Sequence, residues 1–362
     1  MSKPIRVLHM VGVMHPGGME NFIMNLYRNI DREKVQFDVI VHGRTSNDYV
    51  EEIKAMGGTV YELPRLTSNP WQNLKQIYRI VKENQYPVVV RHTANALVSP
   101  QLLAAKFAGA KTICHSHNET DPQKRLHKLG RLLMRYATTK RLACSVNAGQ
   151  WMFGKLDYEV IHNAIDIEKY AYNAEKANKI IEEFHLEQKH VYGHIANFIA
   201  SKNHMYLLAI YAEIIKQDSN AVCFCLGEGK LRPQIEQEIE RLGIRDHVIL
   251  TGVRHDVEDF MSCFDVLIFP SVFEGLPLTL IEAQASGVPC LISDTITKDV
   301  VVSQGLVEME SIEKEPVVWA QKAIAYANEK KMRTCQYEMI AQHGYDIKAL
   351  AKWYEQFFVE LI

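Results

Sequence analysis

Short apolar runs alternate with amphipathic helical patterns along this chain, and they do so in two successive series. The first series reads as strands at residues 5–11, 37–41, 57–63, 87–91 and 111–114, with helical patterns at 20–29, 71–83 and 97–108 between them. The second reads as strands at 191–196, 221–226, 247–250, 265–269 and 288–292, with helical patterns at 205–216 and 233–242. Runs that are apolar throughout suit strands buried on both faces, and parallel strands need helical crossovers to cover those faces. The expected class is therefore α/β, with two doubly wound, Rossmann-like domains. In such sheets a ligand sits beyond the carboxyl ends of the strands.

A length of 362 residues agrees with two cores rather than one. We place the first domain at 1–168 and the second at 169–345, followed by an amphipathic helix that carries Trp353, Tyr354, Phe357 and Phe358. Residues 166–188 are charged, helical and strandless, which suits a connector. Charge divides along the same line. Residues 1–168 carry 22 basic against 15 acidic side chains, and 169–362 carry 19 against 28. A basic half joined to an acidic half predicts different partners for the two.

Several classes are disfavoured. The seven cysteines include no CxxC pair and mostly lie in apolar runs, so they read as buried thiols in a reducing compartment rather than zinc ligands. The first residues lack the long apolar core of a signal peptide, and no run approaches a membrane span. A cytoplasmic location is expected. The basic excess lacks interleaved aromatics, so no nucleic-acid partner is expected. Residues 121–141 form a basic amphipathic pattern: Leu126, Leu129, Leu133 and Ala137 share one helical face, and Lys124, Lys128, Arg131 and Arg135 the opposite one.

The segment PSVFEGLPLTLIEAQASGVP, residues 270–289, carries the most chemistry. It follows a buried strand, places Glu274 and Gly275 in a loop, and sets Pro277 at a helix start. Free N–H groups in a first helical turn bind anions, and glycine admits close approach. Two carboxylates, Glu274 and Glu282, beside such a turn suit a ligand with hydroxyls as well as phosphate. His115 and His117 in CHSHN share one face of a strand end. That spacing is able to bind metal, but no acidic or cysteine residues cluster nearby in the sequence, and no metal site is expected. VGVMHPGG does not match the GxGxxG dinucleotide fingerprint.

With Glu274 and Glu282 eight apart, residues 270–289 resemble the E-x7-E signature of the retaining glycosyltransferases of family 4, which have the GT-B fold. The resemblance covers nearly the whole chain. It implies that Glu274 contacts the donor sugar, Glu282 the ribose, and the N–H groups of Gly275, Leu276, Leu278 and Thr279 the diphosphate. HPGGMENFIMNL resembles the family's glycine loop, which brings Gly17 and Gly18 to the diphosphate. His117, with His115 as second choice, matches the histidine near sugar and acceptor. IANFIASKNHMYLL resembles the GR-x4-K segment: Lys202 matches the lysine that neutralises the leaving diphosphate, while Asn197 stands where relatives have arginine. Either Arg254 or another base compensates for that loss, or catalysis is weakened. LGEGKLRPQI, with Gly227, and TGVRHDV, with backbone groups at Val253 and Arg254, resemble further parts of the donor site. IHNAID resembles the hinge, and 346–362 would cross back to the first domain.

The resemblance implies retaining transfer without metal or other cofactor, from a nucleotide sugar, with UDP the expected carrier, to a glycan or lipid-linked acceptor bound by the first domain. HSHN together with SKNH looks closest to bacterial exopolysaccharide and capsule transferases. In that setting the basic stretch 121–141 is a candidate for contact with anionic lipid on the inner face of the membrane. The competing expectations are a GT-B nucleotide-sugar epimerase and a catalytically weak sugar-nucleotide binding protein.

Overall fold

The computed structural model describes residues 3–14, 17–43, 48–118, 124–329 and 333–362. The chain divides into two compact units, Met1–Ala164 with Asp346–Ile362, and Ile165–Tyr345. Among the described residues the first unit holds a seven-stranded sheet built from β1 (Ile5–Met10), β2 (Val35–His42), β3 (Val60–Leu63), β4 (Val88–Thr93), β5 (Lys111–Ser116), β6 (Lys140–Ala143) and β7 (Glu159–Val160). Their order is β3-β2-β1-β4-β5-β6-β7, and every pairing is parallel. Order reverses between β1 and β4, and the carboxyl ends of these two strands form the switch point where such sheets bind ligands.

Alternation along the strands builds two cores. Val7, Val88, Val90 and Ile113 face Phe22 and Tyr27 of helix Gly18–Asn29 and Tyr354, Phe357 and Phe358 of helix Ile347–Leu361. Leu8, Met10, Val89 and Cys114 face the other way, onto Ile77, Val81 and Leu102. The terminal helix is thus part of the first unit's core. Fully burying Phe358 alone contributes roughly 1.5–3 kcal/mol.

The second unit holds β8 (His190–Ile195), β9 (Ala221–Leu226), β10 (Val248–Gly252), β11 (Val266–Phe269), β12 (Cys290–Ser293) and β13 (Val307–Glu310), in the order β10-β9-β8-β11-β12-β13. These pairings are also parallel, and the switch point lies between β8 and β11. Trp319 and Leu207 close one face of the sheet, Phe260 and Leu280 the other.

One expectation is corrected. Residues 166–188 are not a free connector. Asn173 caps helix Ala174–Phe184, which buries Ala177 and Ile180, and Phe184 meets Phe224 and Phe260 edge-on or tilted. The charged outer face had concealed a narrow apolar stripe. Helix Lys124–Ala137 forms, and its leucines face solvent. His127, Gly130, Met134 and Ala137 are buried, whereas Leu126, Leu129, Leu132, Leu133 and Tyr136 are exposed. A Cβ at Gly130 would lie 2.3 Å from the Ala96 carbonyl, so glycine lets this face approach the Ala96 turn. His127 Nε2 also bonds the Trp151 carbonyl at 2.9 Å, which fixes the helix's rotation.

Candidate functional site

Each unit carries a cluster at its own switch point. In the second unit the chain leaves β8 through Asn197 and reaches Lys202 at the end of a short 3-10 turn, Ala200–Lys202. It leaves β11 through Pro270 into the loop that carries Glu274. Two bonds stitch the loops together, from Val272 N–H to the Ser201 carbonyl at 2.8 Å and from Asn203 Nδ2 to the Pro270 carbonyl at 3.1 Å. Lys202 Nζ then meets Glu274 Oε1 at 2.5 Å, with the side chains only 17% and 10% exposed. The ammonium also lies 5.4 Å from the centre of the Phe269 ring.

Helix Leu278–Ala285 follows, entered through Pro277. Among the described residues the N–H groups of Gly275, Leu276, Leu278 and Thr279 have no acceptor. They therefore offer donors at a positive helix end. A Cβ at Gly275 would meet nothing within 4 Å, so packing does not demand glycine there, and the space before the turn is open. Glu282 is not joined to Glu274. It lies beside the Tyr170 hydroxyl, with Lys169 and Glu258 near, and burial pushes its carboxyl up to about 7. Lys169 and Glu258 themselves pair at 3.2 Å.

Asn197 is exposed and supplies no charge. The Arg254 guanidinium is already paired with carboxylates. Its Nη1 and Nη2 bond Glu183 at 2.9 and 3.1 Å, and its Nε and Nη2 bond Asp256 at 2.9 and 2.7 Å. Two carboxylates thus hold the guanidinium, which also stands over the Phe260 ring. The N–H groups of Val253 and Arg254 remain without acceptors among the described residues, and the Val253 side chain is exposed. Gly227 has a local structural reason: its φ is +141°, and a Cβ would lie 2.0 Å from the Ala196 carbonyl.

In the first unit the switch point is lined with imidazoles. His9 on β1, His92 on β4 and His115 on β5 project from one sheet face, and His92 pairs in register with His115. His117 follows two residues on. His9 Nδ1 lies 2.9 Å from His92 Nε2, and His92 Nδ1 lies 2.9 Å from His117 Nε2. His115 packs on His117 with ring centres 4.1 Å apart, and Phe22 closes over both. Burial holds His9 and His117 down at about 3 and His92 and His115 well below their ordinary value, so all four are neutral at pH 7. Both ring nitrogens of His115, and Nδ1 of His117, are buried with no hydrogen-bond partner among the described residues.

Gly17 precedes helix Gly18–Asn29 in extended backbone, and a Cβ at Gly18 would meet open space. His15 and Pro16 of the same motif lie outside the described residues. A pocket of about 390 Å³ adjoins this turn, lined among others by Gly12, Gly18, Arg91, His92 and Asn118. His9, His92 and Arg91 were not singled out from the sequence. They sit inside strands, and no local motif marks them.

Residues 16–169 match the family described as Glycosyltransferase Family 4, and residues 189–328 match Glycosyl transferases group 1. EpsF of Bacillus subtilis (strain 168), which carries a glycosyltransferase name, is 36% identical over 95% of this chain and 94% of its own. A UDP-Gal:alpha-D-GlcNAc-diphosphoundecaprenol alpha-1,3-galactosyltransferase of Escherichia coli is 25% identical over 62% of each chain. Among solved structures, Anabaena HepE in complex with UDP superposes with a TM-score of 0.82 at 16% identity, covering 98% of this chain and 100% of that one. Two parallel-sheet domains of this kind are the GT-B fold, and the family matches and the EpsF likeness make the chain a glycosyltransferase. This chain belongs to glycosyltransferase family 4.

Proposed function

We propose that this protein is a retaining glycosyltransferase of bacterial polysaccharide synthesis, moving a sugar from a UDP-sugar to a glycan or lipid-linked acceptor without a metal cofactor. The observation that carries the proposal is the Lys202–Glu274 pair at the mouth of a turn with four unpartnered N–H groups. Lysine and glutamate neutralise one another at rest. An arriving diphosphate attracts Lys202 and fills the turn. Glu274 is then released to accept bonds from sugar hydroxyls. Glu282, part-buried on the same helix, is assigned to the ribose.

In retaining transfer of this kind the acceptor hydroxyl attacks the anomeric carbon on the face the diphosphate leaves. The leaving phosphate takes the proton. The protein positions the reactants and holds charge as it grows on the diphosphate. The neutral His117 is suited to that task as a hydrogen-bonding group, since its low basicity leaves it no role as a cation. HepE, crystallised with UDP and with UDP-glucose, supports UDP as the carrier. Relatives named for diphosphoundecaprenol substrates and for capsular polysaccharide support the acceptor class and the pathway.

A lipid-linked acceptor brings the enzyme to a membrane. No described helix is long and apolar enough to cross one. Helix Lys124–Ala137 instead offers three stripes: the buried one, a basic one of Lys128, Arg131 and Arg135, and an exposed apolar one of Leu126, Leu129, Leu132, Leu133 and Tyr136. Exposed leucines beside arginines and lysines suit the interface of an anionic leaflet. We assign this helix to docking on the inner face of the cell membrane, with the protein otherwise in the cytoplasm.

The engaged side chain of Arg254 favours one competing view, a sugar-nucleotide binding protein of very low turnover. Incubation of the purified chain with UDP-sugars and a diphosphoundecaprenol-linked acceptor separates the two. Sugar transfer well above background supports the enzyme. UDP-sugar binding without transfer to any acceptor in a broad panel refutes it.

A further inference from the structure

The imidazole cluster of the first unit is unusual on physical grounds. A buried polar atom without a partner costs about 1–3 kcal/mol, and natural structures hold few of them. Here His115 buries two such nitrogens and His117 a third. One ring nitrogen from each of His92, His115 and His117 falls within a common span of 4.8 Å. Nitrogens bound to one tetrahedral zinc at about 2.0–2.1 Å lie roughly 3.3 Å apart. The 2.9 Å approach of His92 Nδ1 to His117 Nε2 is already close to that spacing.

The geometry points to a binding site for a transition-metal ion, zinc-like in its preference, on His92, His115 and His117. The remaining nitrogen of His92 is held by His9 Nδ1 at 2.9 Å. A bond of that kind fixes the tautomer and ring orientation of a metal-bound histidine. Three neutral nitrogens exclude calcium and magnesium, which take oxygen ligands, and suit zinc, cobalt or nickel. Of the three, His92 also lines the pocket beside Gly12 and Asn118. The nearby charge of Arg91 is committed elsewhere: its guanidinium donates to the Met10 and His92 carbonyls at 2.9 and 2.7 Å and to Gln101 at 3.0 Å.

Such an ion occupies the imidazole assigned above to the sugar. It is therefore an inhibitor, not a cofactor, of the transfer reaction. This last point rests on that assignment, whereas ion binding itself does not.

The test uses the full-length protein stripped with chelator and titrated with Co2+ alone, followed by visible absorption, with Zn2+ then added as competitor. One equivalent of Co2+ should give the intense bands of a tetrahedral ion with nitrogen ligands, and Zn2+ should abolish them. His115→Ala and, separately, His117→Asn should each lose the signal, while His185→Ala, outside the cluster, should keep it. Circular dichroism checks that the variants fold. Absence of saturable Co2+ binding by the wild-type chain overturns the proposal without reference to any variant. Binding that survives His115→Ala and His117→Asn overturns it equally. Transfer activity measured in chelator reports on the transferase separately, so failure of one account is distinguishable from failure of the other.

Discussion

Replacing Lys202 by alanine removes the cation that stands 2.5 Å from Glu274. Both side chains are largely shielded from solvent, so the carboxylate is left without a counter-charge. Breaking a fully buried pair costs about 3–5 kcal/mol. The residual exposure here argues for the lower figure of an orphaned acceptor, about 1–3 kcal/mol. The expected loss of stability is therefore a fall of several degrees in Tm. The chemical step should suffer separately. A fixed donor facing developing charge contributes roughly 3 kcal/mol, which corresponds to about a hundredfold in kcat. Ground-state binding should change much less, because the N–H groups at Gly275, Leu276, Leu278 and Thr279 stay in place. The assay combines steady-state transfer, UDP titration calorimetry and thermal melts of Lys202→Ala, Glu274→Gln and the double variant. Removing both charges should recover most of the lost Tm, because no carboxylate is then stranded, yet kcat should stay low. A Lys202→Ala enzyme within about threefold of wild-type kcat would refute the reasoning, as would turnover restored together with stability in the double variant.

Gly227→Ala and Gly275→Ala should separate packing from ligand contact. The first meets the Ala196 carbonyl at 2.0 Å in a left-handed backbone and should sharply lower Tm, whereas the second enters open space and should spare Tm but weaken UDP binding; the reverse order in thermal melts and calorimetry would contradict this. The folded Glu282 carboxyl titrates at about 7, above its ordinary 4.5, so it holds its proton more tightly folded than unfolded. Its contribution is complete below about pH 4.5 and is lost as pH rises towards 7. Glu282→Gln should therefore gain on wild type between pH 5 and pH 8 by up to about 3 kcal/mol, and a pH-independent difference in Tm would count against it. Replacing Lys128, Arg131 and Arg135 by glutamine should cut binding to anionic vesicles by roughly a hundredfold, at about 1 kcal/mol per charge. Vesicle co-sedimentation equal to wild type would remove the helix from membrane docking.

Local features were legible in the sequence and distant ones were not. The apolar runs located the central strands because those strands are buried on both faces. β6, β7 and β13 escaped because they are short and carry Lys140, Arg141, Glu159, Glu308 and Glu310. The 3.6-residue period of 124–137 was visible, but its rotation was not. Burial there follows a close backbone approach at Gly130 and a hydrogen bond at His127 rather than the leucines. The segment with Glu274 and Glu282 was readable as one strand-loop-helix unit. Its contact with Lys202 depends on two loops 72 residues apart in the chain. The imidazole cluster was half visible, through the alternation of His115 and His117. His9 and His92, which are 83 residues apart, needed the β1–β4 pairing to bring them to it.

The central claim concerns what happens at the anomeric carbon, and one measurement reaches it directly. A UDP-α-linked sugar is incubated with the enzyme and a diphosphoundecaprenol-linked acceptor in the presence of chelator, and the product linkage is read by proton NMR. The account predicts an α-linked product formed without added metal, with one UDP released per sugar transferred. A β-linked product, or consumption of UDP-sugar with no glycosylated acceptor, would contradict it.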